Sequence, residues 1–97
     1  MKTYTINGAR LTSWSTFHKE FKEILNFPDY YGANMDAWID CMTDLTKEPT
    51  VLYIKNGKRL KVEHPELLTA ILECAAFVNY RNLEVQQTPK LLIAVNS

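Results

Sequence analysis

Residues 27–45 of the chain, FPDYYGANMDAWIDCMTDL, contain the most informative pattern in the sequence. The segment begins with a proline-containing loop that carries the adjacent tyrosines Tyr30 and Tyr31, and the chain turns at Gly32. Asn34 follows, and asparagine is favoured at helix N-caps because its side-chain oxygen accepts a hydrogen bond from an unpaired backbone N–H. We therefore predict that the loop ends at Asn34 and that a helix begins at Met35.

The predicted helix has an apolar face and an acidic face. Ile39 lies at the edge of the apolar face, whose other members are Met35, Trp38, Met42 and Leu45. The opposite face carries Asp36, Asp40 and Asp44 at successive i, i+4 steps. We expect the first face to lie on a core and the second to be presented outward.

The acidic row is unfavourable for the helix that carries it. Like charges at i, i+4 destabilise a helix by about 0.2–0.5 kcal/mol per pair, and Asp44 lies near the end where the helix dipole disfavours a negative charge. No lysine or arginine occurs between Phe27 and Thr46, and five acidic residues face a single lysine in residues 27–48. A solvated helix face is one interpretation. The tyrosines and the glycine turn beside the row favour a binding surface.

Composition excludes several classes of protein. The chain has 97 residues, which we assign to a single α/β domain of residues 1–97, and its net charge of zero argues against a nucleic-acid-binding protein. The first ten residues contain no apolar run and no segment is long enough to span a membrane, so we expect a cytoplasmic protein. Cys41 and Cys74 are isolated, which favours reduced thiols. Because the sequence contains only two cysteines and two histidines, we predict no metal site, and we expect no cofactor.

The chain before this segment is predicted to form a strand and a helix. Residues 2–7 alternate in polarity and stop at Asn7-Gly8, as a strand followed by a turn does. Thr12 or Ser13 is expected to cap a helix from Trp14 to about Leu25, with His18 beside its buried stripe in a structural role. That stripe comprises Trp14, Phe17, Phe21, Ile24 and Leu25.

The chain after the segment continues the alternation of strands and helices. Residues 50–54 and 90–95 are nearly continuous apolar runs, typical of parallel strands buried on both faces. After Asn56-Gly57 the sequence permits a hairpin or a short helix, and the cluster of Lys55, Lys58, Arg59 and Lys61 is expected in a solvated loop. A second long helix is predicted over residues 66–80, with a polar loop over 82–89. The buried stripe expected for this helix is Leu67, Leu68, Ile71, Leu72, Ala75 and Val78. We predict a small three-stranded parallel sheet flanked by helices.

The tyrosine loop and the acidic helix carry a family resemblance. The pattern Tyr30-Tyr31-Gly32-x-Asn34-x-Asp36-Ala37-x-x-Asp40-Cys41 resembles the signature of the barstar family, intracellular inhibitors of the ribonuclease barnase. The resemblance is clearest over residues 1–54. It implies the same three-stranded parallel fold and a protein that is an inhibitor, not an enzyme.

The resemblance also implies a partner and a set of contacts. The partner would be a basic ribonuclease of the extracellular type, bound by a chain that is monomeric when free. Asp40 would enter the phosphate site of the nuclease, Asp36 would pair with a further base, and Tyr30 would pack on the catalytic histidine. The partner-binding residues implied are Tyr30, Tyr31, Gly32, Asn34, Asp36, Ile39, Asp40, Thr43, Asp44 and Glu73. The family pattern has aromatic residues where this chain has Ile39 and Leu45, and an acidic residue where it has Phe77, which suggests a different nuclease or a weaker complex.

Two other functions fit the acidic row. Asp36, Asp40 and Glu73 could hold Mg²⁺ in an enzyme, but a convex helix face without a general base or a phosphate-binding glycine loop argues against catalysis. An acidic interaction module that binds another basic protein without inhibiting it stays open.

Overall fold

The computed structural model describes residues 1–96, which form three strands and four α-helices. A short 3₁₀ helix over Gly8–Arg10 follows the first strand. In chain order the elements are β1 (Lys2–Asn7), α1 (Trp14–Leu25), α2 (Met35–Leu45), β2 (Thr50–Lys55), α3 (Gly57–Glu63), α4 (Pro65–Glu84) and β3 (Leu91–Val95).

The three strands form one parallel sheet in the order β1-β2-β3. Tyr4 pairs with Leu52 and Leu52 with Ile93, so the three strands share one register across the sheet. Both crossovers step in the same direction, and because crossovers between parallel strands are right-handed, both sets of helices belong on the same face. The predicted α/β fold with a small parallel sheet is confirmed.

The prediction that β2 and β3 are buried on both faces is wrong. Burial alternates along β2, where Leu52 and Ile54 are fully buried and Tyr53 is only half-buried. On β3, Leu91 is buried and Leu92 is exposed. The reason is the strand order, since a sheet that winds in one direction leaves its second face without helices.

Helix α1 is capped as predicted, but its buried face is rotated from the predicted one. Ser13 accepts a hydrogen bond from the Thr16 backbone, and the Thr16 hydroxyl accepts one from the Ser13 N–H. Trp14 and Ile24, both expected in the core, are each 45% exposed, whereas His18 is buried. The Trp14 ring lies over His18, 6.1 Å between ring centroids, instead of on the sheet. The core of α1 comprises Phe17, Phe21 and Leu25.

Residues 55–65, for which the sequence left two alternatives, contain helix α3 and no hairpin. Asn56 adopts the left-handed conformation at φ 54°, and Gly57 donates a 2.7 Å hydrogen bond to the carbonyl of Asn96. A Cβ at Gly57 would lie 2.7 Å from that carbonyl oxygen, so the close approach requires glycine. The basic residues Lys58 and Arg59 are exposed, but on a helix and not in the expected loop.

Helix α4 is longer than predicted and ends at Glu84 instead of Tyr80. The loop expected over residues 82–89 therefore begins after the helix, where Gln86 takes a left-handed conformation at φ 59°. Leu72, assigned to the buried stripe, is 46% exposed. The Asn79 side chain exchanges two 3.0 Å hydrogen bonds with the backbone of Leu91, which ties α4 to β3. The side chains that α4 buries are Leu67, Ile71, Ala75 and Val78.

Among residues 1–96, no helix is both long and apolar enough to cross a membrane. Cys41 and Cys74 are free thiols, half-buried against the core.

Candidate functional site: an acidic helix and its preceding loop

Asn34 fixes the start of α2 as predicted. Its Oδ1 accepts a 2.8 Å hydrogen bond from the N–H of Ala37, and its Nδ2 donates to the carbonyl of Gly32 at 3.4 Å. The residue with positive φ in this turn is Ala33, at 52°, and not Gly32. A left-handed conformation is unfavourable for a residue with a Cβ by about 1–2 kcal/mol, so the loop is held in place by its surroundings.

The two tyrosines, both assigned to the binding surface from the sequence, have different environments. Tyr30 is 86% exposed, whereas Tyr31 is half-buried and its hydroxyl hydrogen-bonds Nδ1 of His18 at 2.5 Å. Burial lowers the pKa of His18, which favours the neutral imidazole, and this form can pair with the phenol in either tautomer. Burial, with a smaller effect of Cys41, raises the pKa of Tyr31. Tyr31 therefore anchors the loop, and Tyr30 is free to contact another molecule.

The acidic row lies on the solvent face of α2, with all three carboxylates exposed. Among residues 1–96, Asp36 and Asp44 form no salt bridge. Asp40 does, with the guanidinium of Arg81 on α4 at 2.8 Å. The expectation that the whole row is uncompensated is therefore wrong at Asp40, because α4 supplies a cation that is distant in sequence.

The Asp40–Arg81 pair is a surface interaction. The Asp40 side chain is 68% exposed and that of Arg81 is 45% exposed. Ion pairs with this exposure stabilise a protein by about 0–1 kcal/mol, because water solvates both charges well when they separate. Asp40 therefore remains accessible to cations of another molecule.

The inner face of α2 is buried as predicted and holds the row rigidly. Trp38 and Met42 are fully buried, and the Trp38 indole meets Phe21 edge-on at 5.6 Å between ring centroids. The buried Nε1–H of Trp38 has no hydrogen-bond partner among residues 1–96. An unsatisfied buried donor costs about 1–3 kcal/mol, which the apolar contacts of the indole must outweigh. The carboxylates thus project from a helix that is fixed to the core.

The remaining predicted residues extend the site toward α4. Ile39 and Thr43 are half-buried on the side of α2 that faces α4, and the Thr43 hydroxyl donates to the Ile39 carbonyl at 2.6 Å. Arg81 lies 3.4 Å from the same hydroxyl. Glu73 is exposed on α4. The predicted set therefore falls on the tyrosine loop, on α2 and on the adjacent face of α4.

The thiols report the negative potential of this surface. Burial raises the pKa of Cys41, and the charges of Asp44 and Asp40 raise it further. Burial also raises the pKa of Cys74, with added contributions from Glu73 and Asp36. Carboxylates of α2 and α4 thus act together on Cys74.

Three residues of α4 lie at this site but are absent from the set of partner-binding residues expected from the sequence. Arg81 pairs with Asp40, and Phe77 and Tyr80 line a groove with Asp36 and Ile39. Phe77 and Tyr80 could have been found, since positions 73, 77, 80 and 84 form a helical stripe distinct from the buried one, whereas no local pattern marks Arg81 as the partner of Asp40.

Asp36, Asp40 and Glu73 do not form a metal-binding cluster, and neither does any other group of at least three acidic, histidine or cysteine residues among residues 1–96. The carboxylates are dispersed along the exposed faces of α2 and α4. The arrangement is suited to binding a cationic protein face, in which each carboxylate meets its own base.

Comparison with known proteins places this chain in a family. A relative from Bacillus subtilis (strain 168), named "Putative ribonuclease inhibitor YrdF", is 39% identical over 56 residues, which are 58% of this chain and 62% of the relative. The chain thus matches less than two thirds of that protein's length. The family model described as "Barstar (barnase inhibitor)" matches residues 1–92. These descriptions are of inhibitors and not of enzymes, and the chain belongs to the barstar family.

Proposed function

We propose that the chain inhibits a barnase-like ribonuclease by placing the acidic row of α2 against the cations that hold the RNA phosphate. The observation that carries this proposal is the presentation of Asp36, Asp40 and Asp44 on one exposed helix face, with salt bridges absent at Asp36 and Asp44 within residues 1–96. A site that binds phosphodiesters converges lysine and arginine side chains. Carboxylates compete for those cations and form charge-assisted hydrogen bonds with them.

The pair between Asp40 and Arg81 is compatible with this role. A partner that offers two cations to Asp40 replaces a solvent-exposed contact worth about 0–1 kcal/mol by contacts from which water is excluded. Asp40 is the central contact in this proposal, with Asp36 and Asp44 on either side along α2.

The rigidity of the site supports tight binding. Asn34 fixes the start of α2, Trp38 fixes its inner face, and Tyr31 fixes the loop through His18. Few groups therefore lose conformational freedom on association, which keeps the entropic cost low. Tyr30, exposed at the tip of this loop, supplies an aromatic ring for an aromatic or imidazole group of the enzyme.

Inhibition of barnase tests the proposal. RNA cleavage by barnase is measured while the protein is titrated, and we expect a stoichiometric loss of activity. Asp40→Ala should weaken binding by about 2–5 kcal/mol, because it leaves cations of the enzyme buried without a partner. Glu66→Ala is the matched control, since Glu66 lies about 22 Å along the helix from Arg81 and should have little effect.

Two outcomes would contradict the proposal. Barnase that cleaves RNA at its full rate in the presence of excess protein argues against inhibition. Binding observed by calorimetry without loss of cleavage favours the acidic interaction module instead.

A further inference from the structure

The face of α4 opposite its buried stripe carries two aromatic residues flanked by two acidic ones. Glu73, Phe77, Tyr80 and Glu84 recur at intervals of three or four residues and so lie along one side of the helix. Phe77 is 58% exposed and Tyr80 is 59% exposed. The fold does not bury these rings, and exposed apolar patches of this kind mark interaction sites.

Two grooves meet at the rings. One, of about 540 Å³, is lined by Glu73, Ala76, Phe77 and Tyr80. The other, of about 400 Å³, lies between α2 and α4 and is lined by Asp36, Ile39, Phe77, Tyr80, Arg81 and Glu84. The two rings therefore form a ridge with carboxylates on both sides, which we term the aromatic ridge (Phe77 and Tyr80). Asp36 makes the ridge continuous with the acidic row.

We propose that the aromatic ridge docks an arginine side chain of the basic protein partner. This inference rests on the proposed function and adds to it a specific contact on α4. A guanidinium stacks on an aromatic face through cation–π attraction and directs its N–H groups sideways. Glu73 and Glu84 flank the rings, where their carboxylates can accept hydrogen bonds from those N–H groups. A lysine ammonium has no planar face to stack and is disfavoured at this position.

The charges at the ridge select a cationic occupant over a second copy of this chain. A symmetric dimer through this surface would place Asp36, Glu73 and Glu84 against the same residues of the other copy, which is repulsive. Arg81 lines the same groove but offsets only one of these three carboxylates, so the surface stays negative even when Asp40 is released from its guanidinium.

Leucine substitutions isolate the contribution of the rings. Phe77→Leu/Tyr80→Leu keeps apolar side chains of good helix propensity and removes both π faces. We expect its affinity for barnase to fall about tenfold or more, from the usual strength of cation–π contacts. Melting temperature should change little because both rings are largely exposed. Leu92→Thr, at an exposed apolar position of β3 on the uncovered sheet face, is the matched control and should bind as the unsubstituted protein does.

A second measurement does not depend on barnase. Two short peptides, identical except for arginine or lysine at the same positions, are titrated into ¹⁵N-labelled protein and followed by NMR. The arginine peptide should shift the amide resonances around Phe77 and Tyr80, and the lysine peptide should shift them less.

The outcomes separate this inference from the proposed function. Unchanged barnase affinity of the leucine variant overturns the arginine contact while inhibition stands, and equal shifts by the two peptides overturn it as well. Arginine-specific shifts without any inhibition of barnase support the ridge and reject the proposed function. A dimer in sedimentation that the leucine variant dissociates overturns the inference in favour of a second copy.

Discussion

The Arg81→Gln substitution tests two effects of the ion pair between α2 and α4, one on the stability of the fold and one on the affinity for the partner. Arg81 is the cation that compensates Asp40 in the free protein, at 2.8 Å between the guanidinium and the carboxylate. Glutamine retains helix propensity and hydrogen-bonding capacity but removes the charge. The acidic row then becomes uncompensated along its whole length.

The structure sets the size of both effects. Because the pair is exposed, Arg81→Gln should lower the free energy of unfolding by no more than about 1 kcal/mol. A partner no longer has to break the pair, so the affinity for barnase should rise by up to about fivefold, the equivalent of that same 1 kcal/mol. Association should also accelerate at low ionic strength, because the surface gains a net negative charge and salt screens the effect.

Urea denaturation measures the first effect, and stopped-flow association with barnase at two salt concentrations measures the second. Arg59→Gln is the matched control, because Arg59 makes a 2.8 Å salt bridge with Glu63 within α3 and carries the same charge. Similar losses of stability are expected from the two variants, with a gain of affinity only at position 81. Weaker binding of Arg81→Gln would refute the reasoning, since it would mean that Arg81 positions Asp40 for the partner instead of competing with it.

Four further substitutions test the scaffold and the row. Asp44→Asn should raise the free energy of unfolding by about 0.3–1 kcal/mol, because it removes a negative charge that opposes the helix dipole in a last turn without a basic residue. The same substitution should slow association with barnase. A lower urea midpoint would contradict the first expectation. Burial lowers the pKa of His18 from its ordinary 6.5, so the unfolded state binds more protons than the folded state. The contribution of His18 to the free energy of unfolding should then be fully present above pH 6.5 and decline below it by at most about 1.4 kcal/mol per pH unit. An equal decline in the His18→Gln variant would mean that another group causes the pH dependence. Gly57→Ala should destabilise by about 1–3 kcal/mol through overlap with the Asn96 carbonyl and the Val95 side chain. A Cβ at Gly32 would lie 3.3 Å from the Asn34 amide that caps α2, so Gly32→Ala should lower the melting temperature by less than Gly57→Ala does.

Local signals account for what the sequence predicted well. The cap at Asn34, the buried position of Trp38 and the outward acidic row all follow from helical periodicity within a few residues. The parallel sheet followed from apolar runs separated by helices. Each of these features depends on neighbours that are close in the chain.

The features that were mispredicted depend on contacts between distant segments. The pairing of Asp40 with Arg81 joins residues 41 positions apart and exists only because α2 packs on α4. Burial of β2 on one face follows from strand order, which no single strand encodes. Trp14 has the apolar character of a core residue, but it stacks on His18 at the edge of the core. At Asn56-Gly57 the sequence left a hairpin and a short helix open, and the structure has α3, whose first residue Gly57 contacts the distant carbonyl of Asn96.

The junction between α2 and α4 therefore meets two requirements that conflict within α2 alone, an acidic row that can bind cations and a stable helix that carries it. A row of carboxylates strong enough to bind a cationic site destabilises the helix that carries it. Burial of Trp38 and Met42 holds that helix in place, and Arg81 relieves the central charge through a contact weak enough for a partner to replace. Because the same turns of α4 that supply Arg81 also carry Phe77 and Tyr80, a change in how α4 packs would alter stability, charge compensation and partner choice together.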